Sequence, residues 1–166
     1  MTDLMLLRAI RHNSWANLEM LAFCSKMSAS QLEWTASGVY GTIHATLQHI
    51  LTAEAGYLHS LTGGELPPGG RPPETLMPLD RLADLARSNA ERIEKVLANE
   101  TDPDRKITRP SGAIVPGTII VTQYIHHGSD HRAHIGTILG AHSVEGPNLD
   151  AWAFGRAIGV STAALR

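Results

Sequence analysis

Four stretches of this 166-residue chain carry apolar residues every three to five positions over about twenty residues each, and that rhythm constrains the fold more than any other feature. A helix with one apolar stripe has to bury it against other elements, and almost nothing here reads as sheet. The first stretch runs from Thr2 to about Lys26, with Leu4, Leu7, Ile10, Trp15, Leu18, Leu21 and Ala22 on its stripe and Thr2 or Asp3 as its cap. Ser28-Ala29-Ser30-Gln31 has the form of a capping box, so a short helical turn is expected to carry Leu32 and Trp34. Thr42 opens the second long helix, through Ile43, Leu47, Ile50, Leu51, Leu58 and Leu61, until Gly63-Gly64 stops it. The third, Leu79 to Asn99, buries Leu82, Leu85, Ala86, Ile93, Val96 and Leu97 and turns Arg81, Asp84, Arg87, Glu91, Glu94 and Lys95 outward. Thr118 is expected to cap the fourth, which carries Ile119, Ile120, Val121, Tyr124, Ile125, Ile135, Ile138 and Leu139 and ends at Gly140 to Pro147. Leu149 to about Ile158 forms a short closing helix.

The connections fit the same picture. Residues 63–73 hold four glycines and four prolines, a composition that prevents regular structure and marks a long crossover loop. Ile107-Thr108 and Ile114-Val115 flank Pro110-Ser111-Gly112 and read as a small hairpin before the fourth helix. An all-α four-helix bundle follows, with residues 1–166 as one domain. Fourteen Lys and Arg against sixteen Asp and Glu leave a net charge of −2, too balanced for a phosphate-tracking surface, so nucleic acid is not the expected partner. The single cysteine, Cys24, has no internal disulfide partner and suits a reducing cytoplasm. Asp3 stands where a signal peptide needs basic residues, and no run approaches the roughly 18 apolar residues of a membrane span. A soluble cytoplasmic protein without membrane partners is expected.

Nine histidines are many for this length, and four of them fall between His126 and His134 on the fourth helix. His127 and His131 are four residues apart, so both imidazoles project from one helix face and can converge on one cation. His134 lies near that stripe, three residues further on, whereas His126 is turned about 100° from His127. Neutral imidazole is a good ligand for zinc, nickel, iron or copper. With nine histidines such a pair also arises by chance, and a lone histidine on an apolar face is more often a hydrogen-bonded core residue than a ligand. A catalytic site of the zinc type uses three protein ligands and one open position, so a third ligand has to come from His12, His44, His49, His59 or His142. His49 is flanked one turn either way by Ala45, Thr46, Thr52, Ala53 and Gly56, small residues that allow close approach. His59 and His142 sit near helix ends and are expected in solvent. His44 is about 140° around the helix from His49 and is not expected to share its site.

Other residues near these positions have two readings each. Tyr124 and Gln123, about one turn before His127, are candidates to face the open coordination position. Asp130 and Arg132 flank a ligand without sharing its face; Asp130 either orients a histidine or makes a surface ion pair, and the latter is the simpler expectation. Trp15 is core packing or a substrate-facing residue, and Asn17 a polar helix contact. Glu54, five positions beyond His49, is expected to bridge to another helix. Cys24 reads as a small buried hydrophobe. No Gly-x-Ser-x-Gly elbow and no phosphate-binding glycine loop is present in the sequence.

Asn13-Ser14-Trp15-Ala16-Asn17, then Gly41-Thr42-Ile43-His44-Ala45-Thr46-Leu47-Gln48-His49-Ile50 with Glu54, then His127-Gly128-Ser129-Asp130-His131-Arg132 and the Leu149-Asp150-Ala151-Trp152 tail resemble the successive signatures of the DinB/YfiT-like family. These are the damage-inducible small helical proteins, not the translesion polymerase that shares the name. The resemblance implies an up-up-down-down four-helix bundle, a homodimer, and a divalent metal held by His49, His127 and His131. Relatives often carry Gly-Gln where this chain has Ala133-His134, so His134 can add a fourth nitrogen or a proton carrier beside the metal. The resemblance further implies a metal-dependent enzyme, most simply with zinc or nickel found in the site, acting on a small molecule by thiol transfer with a low-molecular-weight thiol or by hydrolysis through bound water. The competing expectations are a non-enzymatic metal-binding or stress-related structural protein, with His134 as fourth ligand, and a bundle whose histidines simply bond to backbone carbonyls.

Overall fold

The computed structural model describes residues 3–64, 75–109 and 112–162. Most of the Gly/Pro crossover, the Pro110-Ser111 part of the hairpin turn and Thr2 as an alternative cap lie outside the described residues. Six helices and one two-stranded sheet are described: α1 (Leu4–Cys24), α2 (Ala29–Leu32), α3 (Ile43–Thr62), α4 (Leu79–Asn99), β1 (Lys106–Thr108), β2 (Ile114–Pro116), α5 (Gly117–Ala141) and α6 (Ala151–Ala157).

Local chemistry sets most of the helix ends. The Asp3 carboxylate accepts from the Met5 N–H at the start of α1. Ser28 and Gln31 complete both arms of a capping box at α2, and Thr42 Oγ1 accepts from the Ala45 N–H at α3. Gly63, at φ +63°, closes α3 in the left-handed conformation that glycine adopts without a side-chain clash. Thr118, in contrast to the expectation, does not cap α5. That helix begins at Gly117 behind Pro116, two residues earlier than a Thr118 cap would allow, so Thr118 lies inside its first turn and its hydroxyl donates to the Asp104 carboxylate. The strands pair antiparallel with Ile107 opposite Val115, as the hairpin pattern predicts.

The expected all-α bundle forms: α1 and α3 each pack against both α4 and α5, so α1/α3 and α4/α5 are the diagonal pairs. Two layers of core follow. Met20, Leu21 and Cys24 meet Ile43, Leu47, Leu82, Leu85, Ile135 and Ile138 at one end, and Ile10 meets Leu58, Leu61, Ile93, Ile120 and Tyr124 at the other. These layers also settle the helix directions. The start of α1 shares its layer with the end of α3, the end of α4 and the start of α5, which gives an up-down-down-up order rather than up-up-down-down. The parallel neighbours α3 and α4 require a long connection, and residues 63–78 supply the length for it. Among the described residues no helix is long and apolar enough to cross a membrane.

Candidate metal centre

Antiparallel packing of α3 on α5 brings His49 opposite the His127/His131 pair midway along the bundle. One ligand atom from each of the three lies within 4.8 Å of the others. The Nε2 atoms of His49 and His127 are 3.0 Å apart. Two imidazole nitrogens on one tetrahedral zinc ion stand about 3.3 Å apart, so this pair is already at near-ligand spacing. The rings of His49, His127 and His131 lie 4.4–4.8 Å apart between centroids, steeply tilted to one another. A set of three nitrogen donors from two rigid helices fits a divalent metal, and the cluster could hold one.

The electrostatics also suit ligation. His127 is only 9% exposed. Burial, then the neighbouring His131 and His49, push its pKa down to about 4 against a small opposing pull from Asp130. Burial lowers His49, and burial followed by His49 and His134 lowers His131. All three imidazoles are therefore predominantly neutral at pH 7, the protonation state that metal binding needs.

Behind the triad lies a buried polar network. Glu54, 1% exposed, accepts hydrogen bonds from the Asn13 and Asn17 side-chain amides, each at 2.8 Å. The same two asparagines turn their carbonyl oxygens to Arg132 Nη1, at 2.9 and 2.6 Å. Carboxylate and guanidinium are thus joined through two amides that donate to one and accept from the other. Burial raises the Glu54 carboxyl to about 7, with the two asparagines and then Arg132 pulling it back, and burial lowers Arg132 to about 10. The network ties α1, α3 and α5 together next to the histidines, since Arg132 adjoins His131 and Gly128 adjoins His127.

A model of the DinB family matches residues 1–157. The chain belongs to the DinB family. Its fold is similar to that of a DinB-like protein from Bacillus cereus ATCC 10987, with 19% identity, a TM-score of 0.67, and 89% of this chain and 97% of that one covered. A DinB-like protein from Bacillus subtilis, YjoA, is similar with 17% identity and a TM-score of 0.61, covering 86% of this chain and 97% of that one. No curated protein matches the chain in sequence.

In this DinB-family chain His12, His44, His59 and His142 have partners away from the triad. His12 Nε2 meets the Leu149 carbonyl and His44 Nε2 the Met77 carbonyl, each at 2.7 Å. His59 bonds to the Gly64 carbonyl, and the exposed His142, expected free in solvent, stacks on Trp34 at 4.0 Å. His134 packs its ring 5.1 Å from His131 and belongs to a second group with Asp130 and His131. Asp130 is exposed, and Gln123 is half-buried. Tyr124 does not face an open coordination position: it lies on the core stripe of α5, fully buried, and its hydroxyl adjoins Glu54 without completing a hydrogen bond of ordinary geometry. Trp15 packs against His12 and Phe154 where α1 meets α6. Arg132, which flanks His131 in sequence, is a buried network member, and Glu54 reaches α1 through amides instead of the expected salt bridge. Cys24 is buried, its thiol pushed up to about 12 by burial, so it supplies no thiolate.

Sequence reasoning missed two aromatic walls of the site. Tyr40, 51% exposed, stacks on His49 with centroids 4.0 Å apart and planes 15° apart, and presents its ring to His131 at 5.1 Å. Tyr57 stands edge-on to His127 at 5.7 Å, with the Arg109 guanidinium 5.9 Å over its own ring. Tyr40 sits in an irregular segment where no periodicity points it anywhere, whereas Tyr57, eight residues past His49, is a same-face position that the helical period could have found. An apolar cavity of about 440 Å³, lined by Leu6, Leu61, Leu97, Val121 and Ile125 among others, lies on the opposite face of α5 from the triad.

Proposed function

We propose that this protein is a divalent-metal-dependent enzyme in which His49, His127 and His131 hold the ion and a small-molecule substrate or thiol takes the remaining coordination position. The observation that carries this is the meeting of three neutral imidazoles from two helices within 4.8 Å. Three protein ligands are the complement of a catalytic site, where a fourth position stays open. When bound, the ion would act as a Lewis acid that lowers the pKa of a coordinated water or thiol. The chain's own residues have other tasks. The Glu54–Asn13/Asn17–Arg132 network holds α3 and α5 in register, Tyr40 covers one face of the His49 ring, and Arg109 beside Tyr57 offers a positive charge for an anionic substrate group. Since the protein's only thiol is buried and protonated, thiol transfer here needs an external low-molecular-weight thiol; hydrolysis by metal-bound water is the alternative reaction. Resemblance to the family supports a homodimer as the working unit, and the lone buried Cys24 suits a reducing cytoplasm.

The non-enzymatic reading has one observation of its own, the closeness of His134 to His131, which would favour a closed structural site if His134 completed the coordination. Metal analysis of untagged protein from defined medium separates the two. The enzyme reading expects one divalent ion per chain, retained in His134→Ala and lost when His127→Ala and His134→Ala are combined, with water or an added thiol exchanging on the ion in the wild type. Loss of the ion and of thermal stability in His134→Ala, with no exchangeable ligand, would establish the structural role instead.

A further inference from the structure

Resting on the metal-site reading above, we propose that Asp130, His131 and His134 form a second, outer position for a divalent cation on α5, which shares His131 with the inner triad and loads it from solvent. One ligand atom from each of these residues lies within 4.8 Å of the others. Asp130 and His134 are four residues apart and His131 and His134 three, so the helix itself presents all three from one side. The Nδ1 atoms of His131 and His134 are both buried and bonded to no protein group. Two orphaned imidazole nitrogens on adjacent turns are costly as they stand, and with a neighbouring carboxylate they make a nitrogen-and-oxygen donor set of the kind zinc accepts.

The sharing of His131 decides how the two positions relate. A neutral imidazole carries one N–H and one lone pair, so His131 ligates one ion at a time. The inner and outer positions therefore alternate rather than fill together. Their exposures give the order: Asp130 is exposed and His134 half-buried, whereas the inner His127 is buried. An ion arriving from solvent meets the carboxylate first, binds His134 and His131, and passes inward when His131 and the His49/His127 pair close on it. The negative charge of Asp130 also raises the local concentration of cations at that mouth.

Zn²⁺ binding by the full chain, measured by competition with a chromophoric chelator, tests this. The His49→Ala/His127→Ala double variant is expected to keep a single Zn²⁺, and adding His134→Ala to abolish it. The wild type is expected to hold one ion, not two. In the otherwise intact chain, His134→Ala and Asp130→Asn should reach the same final occupancy but take up Zn²⁺ about tenfold more slowly in stopped flow. A double variant that binds no Zn²⁺ while the wild type binds one, or a wild type that binds two, overturns the alternating outer position and leaves the triad standing. Zinc lost on His134→Ala alone but kept in His49→Ala would overturn the triad reading. Should the double variant fail to fold, the uptake rates of the two single variants decide: unchanged rates reject the loading role.

Discussion

Gly128 carries no side chain where one would be least tolerated: a Cβ there would sit 2.4 Å from Asn13 Oδ1 and 2.8 Å from Arg132 Nη1. The contact is with two members of a buried network, so neither can yield without losing hydrogen bonds. Gly128→Ala is expected to lower stability by about 1–3 kcal/mol despite the better helix propensity of alanine, measured by urea unfolding. A stabilised variant would show that the network has room to spare. Arg132→Met removes the cation but leaves the Glu54 carboxylate and two asparagine oxygens buried, and should cost about 3–5 kcal/mol. Adding Glu54→Gln to Arg132→Met should restore part of it, and a double variant no better than the single would place the cost in packing instead. Arg132 was legible in principle: it lies four residues after Gly128 and three before Ile135, squarely on the buried stripe. Its network role was not read from the sequence because a charged residue is rarely buried without a partner, and its partners are on α1, which no local pattern reveals.

At the scale of elements, the His127/His131 pair was readable because the helical period alone sets which side chains share a face. The contribution of α3 was half readable. Small residues around His49 mark a place where another helix can come close, but only packing chooses which helix arrives. The segment before α3 was not readable at all, and it supplies Tyr40. That ring shields His49 from water and holds its plane by stacking. Tyr40→Ala is expected to weaken Zn²⁺ affinity about tenfold with little change in the fold, as seen by chelator competition and circular dichroism. Unchanged affinity would reduce Tyr40 to a surface contact. Thr118 teaches the complementary point: a good capping residue was drawn away by Asp104, which the hairpin brings to it.

Over the whole molecule, two buried titrations oppose each other. Glu54 rises from an ordinary value of 4.5 to about 7, so the folded state binds the extra proton; its contribution is complete below pH 4.5 and is lost as pH rises to 7. His127 falls from 6.5 to about 4, so the unfolded state binds the extra proton; its contribution is complete above pH 6.5 and is lost as pH falls to 4. Between pH 4.5 and 6.5 the two slopes have opposite sign. His49 and His131, also lowered by burial, add to the slope of His127, so in the metal-free protein Glu54→Gln should remove the opposing slope and make the urea midpoint climb more steeply with pH than in the wild type. A Glu54→Gln profile no steeper than that of the wild type would contradict the assignment of a raised carboxyl to Glu54. The amino-acid sequence by itself determined the helices, their buried stripes, most of their ends and the paired imidazoles of α5, because each depends on residues within a few turns of one another. The tertiary structure alone decided the up-down-down-up order, the burial of Glu54 and Arg132, and the arrival of His49 and Tyr40 beside the pair, because those depend on contacts between residues distant in the chain, and no local period encodes such contacts.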